Sequence, residues 1–301
     1  MAIEIRPVSG MEDLERWVAL HNQIRPDDPV TVGGKALVRA VQTERADLLA
    51  YLDGVPVGTA VLTGGPNSRD TGRPYVQFGV LPAYRGRGVG DALLRAASGN
   101  ARCFGRTGLA CEADPDDDDS LAFLHRRGFV EHRRWQQYVL ELDAHEGAVP
   151  APPEGVEIAS LADRPKLLER MHLVAAEVYP ELGDPLAGQA ESFVGWQVYA
   201  LGDTILDLDL LALAGEDVIG FGTAREYDET TADLQMVAVL PQSRGQGIGT
   251  ALVAAQVASA KRTRHGRLIA WVPDGGPGEV YRRLGFTQAR GSVELHGPLL
   301  A

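Results

Sequence analysis

A glycine-rich hexapeptide occurs twice in this chain, RGRGVG at Arg85 to Gly90 and RGQGIG at Arg244 to Gly249. Each follows an apolar run ending Val-Leu-Pro, at Val80 to Pro82 and at Val239 to Pro241. Upstream, VGTA at Val57 to Ala60 answers IGFG at Ile219 to Gly222. Downstream, HRRGF ending at Phe129 answers YRRLGF ending at Phe286. Four landmarks in the same order and at similar offsets are the mark of a duplicated unit. With 301 residues, each half is long enough to bury a core of its own. Asp143 to Gly155 is rich in Pro and small residues and lacks apolar periodicity, so it reads as a connector. The expected organisation is a first domain over 1–143, a linker over 144–155 and a second domain over 156–301.

Within each copy the pattern is mixed α/β. The first copy reads as a strand at Ile3 to Arg6, a helix at Glu12 to Gln23 and a second helix around Gly34 to Gln42. Asp47 to Leu62 reads as two strands around the turn Asp53-Gly54. A strand at Tyr75 to Leu81 then runs into the glycine loop, followed by a helix from Gly88 to about Ala101. Leu109 to Glu112, Ser120 to Arg127 and Trp135 to Leu142 read as strand, short helix and final strand. In the second copy the hairpin spans Leu206 to Ala224, the key strand Leu234 to Leu240 and the helix Gly247 to Lys261. Arg267 to Val272, Glu279 to Leu284 and Val293 to His296 complete it.

Composition bounds the partners. The formal charge of −12 argues against nucleic acid, which needs clustered cations, and suits a small cationic substrate better. No apolar run approaches the roughly 20 residues of a membrane helix, and Met1 to Arg6 reads as a strand rather than as a secretory leader. The expectation is a cytoplasmic protein that engages neither nucleic acid nor membrane. Cys103 and Cys111 are too few for a disulfide framework. The histidines show no pair at ligand spacing, and the run Asp114 to Asp119 lacks the Gly and terminal Glu of a calcium loop, so no metal is expected. That run reads instead as a cap for the helix near Ser120.

A strand that passes through Arg-Gly-x-Gly-x-Gly into a helix leaves several backbone N–H groups aimed at one point, which binds an anion. The loop is not a P-loop, because no Gly-Lys-Ser/Thr follows. It is a poor dinucleotide fingerprint, because an antiparallel hairpin precedes it. The series Val-x-Pro-x-x-Arg-Gly-x-Gly-x-Gly, helix, strand, short helix, Gly-Phe resembles the GNAT superfamily, the Gcn5-related N-acetyltransferases. The resemblance covers nearly the whole chain, twice, and is most specific at the glycine loop. It implies two tandem domains, each a largely antiparallel, splayed mixed sheet flanked by helices. It also implies acetyl-CoA, or another short acyl-CoA, as co-substrate. The pyrophosphate would be held by Arg85, Gly86, Arg87, Gly88, Val89 and Gly90, and by Arg244, Gly245, Gln246, Gly247, Ile248 and Gly249. By the same resemblance, backbone groups of Phe78 and Val80, and of Val237 and Val239, would meet the pantetheine arm and thioester. Val237 would stabilise the developing oxyanion.

Acyl transfer to an amine needs a base for the ammonium and an acid for the departing thiolate. In the family the acid is a Tyr four residues before the Gly of Gly-Phe, which gives Tyr281 in the second copy and Leu124 in the first. A one-residue slip would put His125 there instead. In the histone-acetyltransferase branch a carboxylate stands four residues before the strand residue that meets the thioester. That gives Asp233 in the second copy and Pro74 in the first. Glu226, Asp228 and Glu229 cluster just upstream of Asp233, where the first copy has the neutral stretch Gly65 to Ser68. They are candidates for receiving a cationic amine. The expected function is transfer of an acetyl group to a primary amine of a small molecule, catalysed by the second copy, with the first copy degenerate. The alternatives are a non-catalytic acyl-CoA-binding module and a protein Lys or N-terminal acetyltransferase. A monomer is expected, a dimer being possible.

Overall fold

The computed structural model describes residues 1–42, 44–64, 73–145, 147, 150–182, 192–201 and 204–301. The chain forms two compact units, Met1–Arg133 with Val293–Ala301, and Arg134–Ser292.

The first unit begins with β1 (Ile3–Pro7), α1 (Gly10–Ile24) and α2 (Val32–Val41). A hairpin follows, β2 (Glu44–Leu52) and β3 (Val55–Gly64). Asp53 and Gly54 turn it with φ of 50° and 83°, the conformation that favours Asp-Gly between twisted strands. Next come β4 (Tyr75–Val80), α3 (Val89–Cys103), β5 (Gly108–Ala113) and α4 (Asp118–His125). The carboxylate of Asp117 accepts the N–H of Ser120 at 3.0 Å, so the acidic run caps α4 as its sequence suggests. β1 to β4 pair antiparallel in chain order. Trp17 and Val18 of α1 pack on Leu49, Tyr51 and Val61, and the Trp17 indole N–H donates to the Ala60 carbonyl at 3.2 Å. On the opposite face Leu94, Ala97 and Ala101 of α3 pack on Leu62, Val76, Leu109 and Cys111.

β6 (Val130–Glu141) leaves the first unit at Arg133. The second unit continues with β7 (Val156–Ser160), α5 (Leu168–Leu182), α6 (Phe193–Leu201), β8 (Leu210–Ala214) and β9 (Asp217–Glu226). Then come β10 (Thr231–Val239), α7 (Ile248–Ala260), β11 (Arg267–Pro273), α8 (Gly278–Arg283) and β12 (Thr287–Pro298). β7 to β10 pair antiparallel. α5 and α6 cover one face, where Met171, Val174 and Trp196 meet Leu211, Phe221 and Ala238. α7 covers the other, with Val253, Ala254 and Val257 against Ala232, Leu234 and Leu268.

The two copies exchange their last strands. Trp135 to Glu141 of β6 pairs with β11 in the second unit, and Val293 to Pro298 of β12 pairs with β5 in the first. The sequence bounds put Trp135 to Leu142 in the first domain and Val293 to His296 in the second. Both strands carry the same alternating pattern, with Tyr138 and Leu140 buried on β6, and Val293 and Leu295 on β12. Periodicity therefore fixes the buried face of each strand but not its partner.

Candidate active site

In both units the strand before the glycine loop leaves its parallel neighbour. β10 pairs with β11 from Thr231 opposite Arg267 to Leu234 opposite Ala270, and the ladder stops there. β4 meets β5 at Tyr75 opposite Ala110, near its start. Beyond these points the strands splay. The N–H of Leu240 donates to the carbonyl of Ile219 at 2.9 Å, and that of Leu81 to Val57 at 2.9 Å. Alternate residues of an antiparallel strand turn their backbone groups to opposite edges. Val237 and Val239, like Phe78 and Val80, therefore present theirs to the splayed edge.

The loops close in the same way. The Arg85 Nε donates to the carbonyl of Val80 at 3.2 Å and the Arg244 Nε to that of Val239 at 2.9 Å. Arg244 also pairs with Glu181 of α5 at 2.8 Å. Gly86 and Gly88 hold φ of 72° and 84°, and Gly245 and Gly247 hold 75° and 85°. L residues with a side chain rarely adopt these angles, so the sequence needs glycine here. Nothing lies within 4 Å of where a Cβ would stand on Gly86 or Gly245, leaving the approach to the N-termini of α3 and α7 open. The donor set and the space fit a pyrophosphate in both units.

Leu124 and Tyr281 stand at one backbone position. The carbonyl of Leu124 accepts the N–H of Phe129 at 3.2 Å, and that of Tyr281 accepts the N–H of Phe286 at 3.0 Å. Leu124 is buried in the α3 core and His125 is exposed, so no slip of register brings the histidine inward. The Tyr281 ring stacks on Tyr138 at 5.7 Å between centroids with a 26° tilt and stands edge-on to Phe286 at 5.3 Å. Burial, and then the negative charge of Asp233, push its hydroxyl up to about 12.

Asp233 is 1% exposed. Its neighbours Ala232 and Leu234 face α7, so alternation turns Asp233 toward the α5 and α6 face. One carboxylate oxygen accepts from Nε and Nη2 of Arg225, each at 3.3 Å, and from the Gln235 amide. Arg225 and Gln235 were not singled out from the sequence. Arg225 becomes legible only once the register sets it opposite Asp233.

That register also revises the counterpart of Asp233 in the first unit. β10 carries a bulge between Leu234 and Met236, whereas β4 pairs with β3 without a shift. Val237 opposite Gly222 matches Phe78 opposite Ala60, but the bulge inserts one residue before that point. The residue matching Asp233 is Tyr75, not Pro74. Burial and then the Glu112 charge hold the Tyr75 hydroxyl well above its ordinary value, so it is no base near neutrality. Near Gly79 the first unit is also filled, because a Cβ there would stand 2.4 Å from Ile24 of α1.

The carboxylates of Glu226 and Asp228 are engaged elsewhere. Glu226 pairs with Arg264 at 2.5 Å, and its strand position opposite Ala232 turns it to the α7 face, away from Asp233. Asp228 accepts the N–H groups of Thr230 and Thr231, each at 2.8 Å, which holds the turn into β10. The Glu229 carbonyl accepts from Arg264 at 3.2 Å. The contacts of Glu226 and Asp228 tie them to Arg264 and to the turn into β10 rather than to Asp233. The stretch Gly65 to Ser68 lies outside the described residues.

Comparison with known proteins finds the same family in both copies. The profile described as "Acetyltransferase (GNAT) family" matches residues 14–129, and that described as "Acetyltransferase (GNAT) domain" matches residues 207–288. The chain is a tandem GNAT protein. It is an N-acetyltransferase, a class that uses acetyl-CoA and transfers acetyl to an amine. A mycothiol acetyltransferase of Actinosynnema mirum is 29% identical over 293 residues, 94% of each chain. One from Corynebacterium glutamicum is 24% identical over 301 residues, covering 93% of this chain and 92% of its own. Among solved structures, a tandem GNAT protein from the clavulanic acid biosynthesis pathway superposes with a TM-score of 0.75 at 18% identity, over 100% of this chain and 99% of its own. A GCN5-related N-acetyltransferase from Sphaerobacter thermophilus gives 0.72 at 17% identity, over 99% and 96%. These two show the fold. Among the described residues no helix is long and apolar enough to cross a membrane.

Proposed function

We propose that the second GNAT copy transfers an acetyl group from acetyl-CoA to a primary amine of a small molecule by direct attack in a ternary complex. The observation that carries this reading is that the second copy has the buried Tyr281 and Asp233 at the two backbone positions where the first copy has Leu124 and Tyr75. The glycine loop, Arg244 to Gly249, holds the pyrophosphate on backbone N–H groups at the start of α7. Backbone groups of Val237 and Val239 line the arm that leads to the thioester, and the N–H of Val237 faces the developing oxyanion. Asp233 takes the ammonium proton, directly or through a water. Its bond to Arg225 fixes the carboxylate in place. Tyr281 keeps its proton at neutral pH and gives it to the departing thiolate. Much of the remaining rate comes from holding amine and thioester together.

The first copy keeps the phosphate cradle and lacks the proton-transfer pair, so it binds an acyl-CoA without turning it over. The relatives named mycothiol acetyltransferase make a mycothiol-related amine the first acceptor to try. The test is release of free thiol from acetyl-CoA over a panel of small amines and lysine peptides. Turnover with a small amine that vanishes in Tyr281→Phe supports the reading. Turnover with peptides alone, or thiol release that Tyr281→Phe leaves unchanged, contradicts it.

A further inference from the structure

We propose that His132, Glu294 and His296 form a binding site for a divalent transition metal, with Zn2+ the ion that best fits the donors. All three belong to the first unit, whereas Tyr281 and Asp233 belong to the second. The sequence shows no ligand spacing because His132 lies on β6 and the other two lie on β12.

Strand alternation builds the cluster. Val293 and Leu295 of β12 are wholly buried in the core against α3 and α4, so Glu294 and His296 turn to the opposite face. The Nε2 of His296 and Oε1 of Glu294 are 2.8 Å apart, and these side chains are only 12% and 13% exposed. The His132 ring stacks on His296 with centroids 3.8 Å apart. One donor atom from each of the three lies within 4.8 Å of the others.

Charge and chemistry favour a cation here. Glu294 sits directly opposite Glu112 of β5, and like charges at facing positions destabilise a sheet. Arg73 is the guanidinium whose field reaches His296. Two imidazoles and one carboxylate are a zinc donor set that leaves a fourth position for water. Bonds of about 2.1 Å in a tetrahedron place donors about 3.4 Å apart, longer than the 2.8 Å between His296 and Glu294 and inside the 4.8 Å that bounds all three donors. His132 is exposed and closes the difference by rotating. The ion would tie the strand on which the chain leaves the first unit, at Arg133, to the strand on which it returns, at Val293.

The test uses the untagged full-length chain with Cys103→Ser, which removes an exposed thiol that would itself take up zinc. After treatment with EDTA and its removal, ZnCl2 is titrated calorimetrically and Co2+ uptake is followed by its visible absorption. One equivalent should bind, raise the melting temperature and give the bands of four-coordinate cobalt. His132→Gln, at an exposed position where folding should be retained, and Glu294→Gln should each weaken uptake by at least about tenfold. Absence of stoichiometric uptake, or uptake that neither substitution changes, would show a hydrogen-bonded imidazole stack without an ion and overturn the proposal.

Discussion

Leu124 and Tyr281 occupy the same place in their copies, each carbonyl closing its short helix on the N–H of the Phe that follows Gly, at 3.2 and 3.0 Å. One side chain has a proton to give and the other has none. Tyr281→Phe should therefore lower kcat by about 10²- to 10⁴-fold, the range of a lost general acid. It should leave the KM for acetyl-CoA and the melting temperature nearly unchanged, because the ring contacts with Tyr138 and Phe286 persist. Steady-state kinetics and thermal unfolding of the same preparation check both parts.

Asp233→Asn should lower kcat/KM by about 10²-fold or more, through loss of the proton acceptor. It should also lower the Tyr281 pKa, since the Asp233 charge is the second cause of its rise after burial. Wild-type Tyr281 stays protonated until about pH 12, so its donor role persists through mildly alkaline conditions. Residual activity of the Asn variant should fail at a lower pH than that of wild type. A kcat profile over the alkaline range separates the two.

Asp209 gives a pH signature of stability. Its carboxylate is 0% exposed and accepts from the Thr204 hydroxyl and the Ala224 N–H, and burial pushes it up to about 7. A carboxyl whose folded pKa exceeds its unfolded value of about 3.9 stabilises fully below that value, and the contribution is lost as pH rises toward 7. Relative to Asp209→Asn, wild type should thus lose stability between about pH 4 and 7 and then level off. Urea unfolding of both proteins at several pH values reads the difference. A constant gap between them would place the buried proton elsewhere.

Much of the fold was legible because the residues that set it act locally. The Asp53-Gly54 turn and the glycines with positive φ announce hairpin and loop from the sequence alone. The position of Tyr281 could be counted from Gly285, because a short helix fixes that distance. What was not legible is non-local. A bulge at Gln235 shifts the count along β10 by one and exchanges Pro74 for Tyr75, and strand alternation gives no hint of where a bulge falls. The exchange of β6 and β12 leaves the buried pattern of both strands intact, so periodicity could not reveal it. Glu226 and Asp228 looked like acceptor groups only because their neighbours along the chain include Asp233. Successive strand residues face opposite sides of the sheet, and Arg264 lies on the side that Asp233 does not.

Of two similar phosphate cradles only the second serves a reactive centre, and the paired variants Gly86→Ala and Gly245→Ala test this most directly. Each adds a Cβ at a φ that disfavours it, 72° and 75°, and places it in the space before a helix N-terminus. Acetyl-CoA binding by calorimetry and thiol release with a competent amine are measured on both proteins. The expected result is two sites in wild type and one in each variant, with turnover retained in Gly86→Ala and reduced at least about tenfold in Gly245→Ala. Turnover lost in Gly86→Ala and kept in Gly245→Ala would contradict the account.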